Sequence, residues 1–165
     1  MKTRPKIRPQ QNLWDRVVVA IAIGALVYGV VLVLQAWSTL PDTIPTHFDA
    51  SGNANGSGPK AMIWLLPSIS VVLVPAMLIL SRFPWLSNVP IEITEENAEK
   101  QYGLIVRLLS LLACDVSLLF TALVYDTILI AGGGNSLLGA WFMPIFLFGV
   151  MAPILWYFYA AFKGR

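Results

Sequence analysis

Four long apolar runs constrain this chain more than any other feature: residues 17–37, 61–80, 108–130 and 137–162. Each has the length needed to cross a hydrocarbon layer ~30 Å thick at ~1.5 Å per helical residue. Three carry no charged side chain, and the third carries only Asp115 and Asp126. A backbone in lipid must satisfy its own hydrogen bonds. Runs of this length do so as helices, and the alternating pattern of barrel strands is absent. The predicted fold is all-α: one polytopic membrane domain with four transmembrane helices in two hairpins. Composition agrees, since 57% hydrophobic and 12% charged residues stand against roughly 45–50% and about 25% in soluble domains.

The hydrophilic residues fall into a basic N-terminus (1–16), a first loop (38–60), a connection (81–107) and a short second loop (131–136). Of 11 Lys and Arg, all but Lys60 lie before the first run, between the second and third, or after the fourth. The asymmetry predicts cytoplasmic N- and C-termini and places the first and second loops outside. The first apolar run also exceeds the roughly 7–15 residues of a cleavable signal, so it is expected to be retained as a helix. Thr94 is the expected N-cap of helix 3, starting near Glu95, with Glu96 and Lys100 spaced as a helical ion pair. Trp64-Leu-Leu-Pro67 then Pro75, and Trp141-Phe-Met-Pro144 then Pro153, form a weak internal repeat, while Pro75 and Pro153 should free the carbonyls of Val71 and Gly149.

The first loop, Pro41 to Lys60, is the long hydrophilic segment on the outer side. Pro41 and Pro45 stiffen an extended approach that presents Ile44 and Phe48 as apolar anchors. Residues 51–58, Ser-Gly-Asn-Ala-Asn-Gly-Ser-Gly, are rich in types that tolerate positive φ, and consecutive tight turns are expected there. Candidate ligand-binding residues are Ile44, Pro45, His47, Phe48, Asp49, Gly52, Asn55 and Lys60. His47 and Asp49 lie two apart and could tie down backbone groups of the loop, contact a ligand, or supply metal ligands with Asn53 or Asn55. One histidine and one cysteine, Cys114, support neither a metal cluster nor a disulfide. No nucleophile has a neighbouring base, and no catalytic residue, metal or cofactor is expected. A net charge of +2 does not suggest nucleic acid as a partner.

Asp115 sits about two turns inside the membrane, where an unpaired charge costs at least ~2.5–3.5 kcal/mol. Asp126 follows eleven residues later, about 20° away around the helix, so both share one face and could line a polar path with Ala122 between them. Lys60 and Asp126 are expected at similar depth and are predicted to pair, with His47 as the competing partner.

The pattern Leu40-Pro41-x-x-Ile44-Pro45-x-His47-Phe48, then Gly52, a polar stretch and Lys60 at the head of an apolar helix, resembles the N-terminal module of the SdpI-type bacterial immunity family, a domain of unknown function. The resemblance spans about residues 13–82. It implies a small protein of the bacterial cytoplasmic membrane, which in some members protects the producer against a secreted membrane-active peptide toxin and in others holds a cytoplasmic repressor at the membrane. The function expected is non-enzymatic immunity acting through the outer loop. The alternatives are a proton- or ion-coupled transport or channel subunit using Asp115 and Asp126, and a structural subunit of a larger complex. Expected partners are the lipid bilayer, a peptide toxin, and a second copy or another membrane protein.

Overall fold

The computed structural model describes residues 4–49 and 51–164. Lys2 and Arg165, which enter the charge count, lie outside the described residues. Four helices make the body: α1 Leu13–Ala36, α2 Leu65–Leu80, α3 Ala98–Ala131 and α4 Phe142–Lys163. All four are long and apolar enough to cross a membrane when the 3₁₀ turns leading into α2 and α4 are included. Their outward faces carry large apolar side chains such as Val72, Phe148, Leu155 and Tyr159. A surface so apolar on every side is the surface of a protein solvated by lipid. The protein is a multi-pass membrane protein.

The helix boundaries have local causes. α1 starts at Leu13, earlier than the apolar run, because Asn12 and Asp15 form a capping box: Asp15 N donates to Asn12 Oδ1 at 2.9 Å and Asn12 N to Asp15 Oδ2 at 3.0 Å. Two donors that would otherwise be orphaned at the helix start are thereby satisfied. α2 and α4 start later than expected, at Leu65 and Phe142, each after a 3₁₀ turn that ends on a tryptophan, Lys60–Trp64 and Gly139–Trp141. Pro67 and Pro144 then fall on the third helical residue, where a missing N–H breaks no helical bond. The Trp-x-x-Pro repeat is thus one local device used twice. Helix 3 starts at Ala98 rather than near Glu95. Thr94 nevertheless caps as expected: Thr94 N donates to Asn97 Oδ1 at 2.9 Å, Asn97 N to Thr94 Oγ1 at 3.3 Å and Ala98 N to Thr94 O at 3.0 Å, so the turn 95–97 leads directly into the regular helix. The Glu96–Lys100 ion pair is not formed; the described ion pairs are Lys60–Asp42 and Arg107–Asp15.

The packing centres on α3, which touches α1, α2 and α4, with its broadest contact on α1. Three apolar layers stack along the bundle. Tyr102, Ile105 and Tyr157 anchor the layer at the end bearing the termini, Val18, Ala22 and Val74 the middle one, and Val33, Ile44 and Val124 the layer at the opposite end. α1 and α3 come close because residue 29 is glycine: a Cβ there would stand 2.6 Å from Thr121 Oγ1. That hydroxyl donates to Ala25 O at 2.8 Å. Small residues and a hydroxyl at a helix crossing are the usual means of association in lipid, where apolar burial gives no net drive.

The termini and the α2–α3 connection meet at one end. Arg4 Nη1 donates to Ser87 O at 2.6 Å, Tyr102 Oη to Pro5 O at 2.9 Å, and Gln101 Nε2 to Ala161 O at 3.1 Å. At this end Arg107 also pairs with the buried Asp15, Nε to Oδ1 at 3.0 Å, linking α3 to α1. Every described Lys and Arg except Lys60 gathers here, so the charge asymmetry read along the chain is an asymmetry between the two ends of the bundle.

Candidate functional site

At the other end the first loop forms a two-stranded antiparallel sheet, β1 Thr43–Phe48 and β2 Ala54–Pro59. This overturns the expectation of consecutive tight turns across 51–58. Only Gly52 in that stretch has positive φ, at 82°. Gly56 and Gly58 serve a different end, close strand pairing: a Cβ on Gly56 would stand 3.0 Å from His47 Cβ, and one on Gly58 3.2 Å from Thr46 Cγ2. Pro45, which has no N–H to donate, is tolerated because a two-stranded sheet has only edges, and the register slips on either side of His47. Ile44 is buried beneath the sheet at 1% exposure, in the layer with Val33, Leu40, Ile63 and Val124.

The turn at the hairpin tip is built on Asp49. Its Oδ1 accepts from Ser51 N at 2.8 Å and Asn53 N at 2.9 Å, while Gly52 N donates to Asp49 O at 3.0 Å. The backbone amide of Asn53 foremost, joined by the amides of Ser51 and Gly52 and the Asn53 side chain, holds the carboxyl below its ordinary value against the opposing effect of desolvation. His47 Nδ1 meets Asn55 Oδ1 across the strands. His47 and Asp49 are therefore employed separately, the imidazole between strands and the carboxylate on loop amides.

Lys60 closes the base of the hairpin and does not reach Asp126, which corrects the predicted ion pair. Its N donates to Asp42 O at 2.9 Å, its Nζ lies 3.7 Å from Asp42 Oδ1, and the ammonium stands 5.1 Å from the Trp37 ring centroid. The nearer carboxylate and the ring face hold the cation at the water-facing edge. Asp126 is instead committed to the loop before α4. Ser136 Oγ donates to its Oδ2 at 2.7 Å and Leu137 N to its Oδ1 at 2.7 Å, and Ser136 Oγ in turn accepts from Gly139 N at 2.9 Å. His47 is not its partner either.

The two loops meet where Gly52 lies on Gly139. A Cβ on Gly52 would collide with Gly139 Cα and stand 2.6 Å from its carbonyl carbon. Beneath this contact is a cavity of about 480 Å³. Its roof is β1 from Ile44 to Phe48 together with Asp49 and Gly52. Its walls are Met62, Leu65 and Leu66 at the head of α2, Leu123, Asp126 and Thr127 on α3, and Ser136, Leu138, Phe142 and Met143 at the head of α4. Ile44, Pro45, His47, Phe48, Asp49 and Gly52 thus come together with Asp126, residues the sequence placed in two unrelated groups. Asn55 and Lys60 support the hairpin without lining the cavity. Asp115 stands apart, facing Gly149 of α4, where an added Cβ would make ordinary contact at 3.8 Å from its Cγ. Its Oδ2 is buried without a hydrogen-bond partner among the described residues.

Sequence reasoning missed Ser136, Leu138, Gly139 and Met143. The available signal was the polar run Gly132 to Ser136 on the same side as the first loop, the only place from which a second loop could meet it. Asp15 was also missed, although Asn12-x-x-Asp15 has the spacing of a capping box.

A family described as Domain of unknown function (DUF1648) matches residues 17–79. The match takes in most of α1 and α2 with the hairpin between them, and leaves α3 and α4 outside. No curated protein and no solved structure shows significant similarity to the chain.

Proposed function

We propose that this DUF1648-containing membrane protein is a non-enzymatic immunity or resistance factor of the bacterial cytoplasmic membrane. In this reading the hairpin end faces outward and receives a membrane-active peptide toxin. The observation that carries it is the cavity of about 480 Å³ between the hairpin and the outer ends of α2, α3 and α4. Cavities of this size with apolar walls and a few convergent polar groups are where ligands with apolar bodies bind. The likeness of the hairpin segment to the SdpI-type module supports the same assignment, and so does the gathering of basic residues at the opposite end. The single imidazole, His47, is turned to Asn55 rather than to a hydroxyl or thiol nucleophile, which favours binding over catalysis.

The test is the sensitivity of cells to a membrane-active peptide with and without the protein. Replacing residues 49–58 by a glycine-serine linker should leave membrane insertion intact and abolish protection. Protection that survives the replacement refutes the role of the hairpin. One observation favours a second reading, a proton- or ion-coupled transport subunit: the carboxyl of Asp115 keeps a buried, unpartnered oxygen beside α4. Ion flux in proteoliposomes that disappears in Asp115→Asn and Asp126→Asn would establish that reading in place of the first.

A further inference from the structure

Asp126 is the one charged group in the walls of the cavity that is buried, at 5% exposure. Among the described residues the only other formal charge in the lining is Asp49, no Lys or Arg lines the space, and the one basic ring there, His47, is turned to Asn55. Lys60, the sole described Lys or Arg at this end, is engaged outside with Asp42 and Trp37. The two donors on Asp126, a hydroxyl and a backbone N–H, are both neutral. A carboxylate offers about four acceptor positions, so about two remain for a further donor. A buried carboxylate without a cation is costly, and a ligand that brings one removes the imbalance. Asp126 and Leu138 also border a lipid-facing groove between α1 and α3, floored by Gly24, Ala25 and Ala122. They form the wall between that groove and the cavity.

We infer that the cavity binds an apolar peptide segment carrying a single cationic group, whose ammonium or guanidinium docks on Asp126. This rests on the reading of the protein as a peptide receptor and adds the charge of the ligand. The apolar body fills the space between β1 and the heads of α2 and α4, and the cation reaches the carboxylate from the cavity side.

The test uses the full chain in phosphatidylcholine nanodiscs with Cys114→Ala and Met143→Cys, so that a thiol reagent reports access to the cavity. Two probes are compared, a short leucine-alanine peptide with one lysine and the same peptide with norleucine in its place. The lysine peptide should slow labelling at roughly tenfold lower concentration than the norleucine peptide. Asp126→Asn, which keeps an acceptor for Leu137 N, should remove the difference. Leu123→Lys, which tethers a cation one helical turn from Asp126, should remove it too while norleucine peptide still protects, and it provides the answer if Asp126→Asn does not fold. Equal protection by both peptides, or an undiminished lysine preference in the folded variants, overturns the inference. So does loss of the preference when phosphatidylethanolamine is added, which would give the site to a lipid ammonium. A lysine preference in nanodiscs without protection in cells would remove the immunity reading and leave this site standing.

Discussion

Gly52→Ala should release the hairpin tip from the α3–α4 loop, and the magnitude can be worked from two glycines that differ in one respect. Gly52 has φ 82° and Gly139 has φ 47°, so alanine at either position enters the left-handed region, at a cost of about 1–2 kcal/mol. At Gly139 nothing lies within 4 Å of the added Cβ. At Gly52 the Cβ would meet the backbone of Gly139, 2.6 Å from the carbonyl carbon and 2.9 Å from the oxygen. Backbone cannot rotate away as a flexible side chain can, so overpacking adds about 1–3 kcal/mol. The cheapest relief is for the tip to lift, because the contact joins two surface loops rather than two helices. Hydrogen exchange in nanodiscs reads this directly. The amides of Asp49, Gly52 and Asn53 are bonded within the turn, and segments covering residues 47–57 should exchange faster in Gly52→Ala than in Gly139→Ala by about 5–150-fold. Equal exchange in the two variants would mean that strain at φ alone matters and that the tip does not rest on Gly139.

Further outcomes follow from other contacts. Asp15→Asn and Arg107→Met should each destabilise the protein to unfolding in detergent, by about 1–3 kcal/mol given that the Arg107 side chain is 42% exposed, and the double variant should recover part of the loss; additive losses would show that the pair does not couple. Lys60→Met and Asp126→Leu, by contrast, should be additive in the same assay, because Lys60 meets Asp42 and Trp37 and Asp126 meets Ser136 and Leu137. Asp49, held below its ordinary value of 3.8 by loop amides, contributes to hairpin order above that value and loses the contribution as pH falls through the lower folded value; the protection of the hairpin tip amides, taken against intrinsic exchange at each pH, should drop in acid, and Asp49→Asn should abolish that acid step. Cysteines introduced at positions 47 and 133 should react with an impermeant thiol reagent from outside intact cells, and one at position 97 should not; labelling at 97 would invert the topology.

The sequence by itself determined the class of protein. Four apolar runs in a chain that segregates its charges can only be solvated by lipid, and in lipid the backbone must be helical, so the helices were legible from run length and the two ends from the Lys and Arg positions. Local devices were legible only where their partners lie close in sequence: the extended approach at Pro41 and Pro45 was, and the tie from Asp49 to its own loop was among the readings. The cap at Thr94 was legible too, since it and Asn97 exchange hydrogen bonds three residues apart, although the regular helix begins only at Ala98. The glycines of 51–58 were misread for a deeper reason. Glycine suits both positive φ and close approach, and which of the two applies at Gly56 and Gly58 depends on His47 and Thr46 standing across the sheet. The tertiary structure alone decided what faces Asp126. Periodicity put it on a face with Asp115 and depth put it near Lys60, but a carboxylate binds whichever donors the fold brings within 3 Å, and the turn after α3 delivers Ser136 and Leu137 N before Lys60 can reach. The same turn sets Gly139 against Gly52 and so closes the cavity, a feature that belongs to no segment of the chain because each wall comes from a different one.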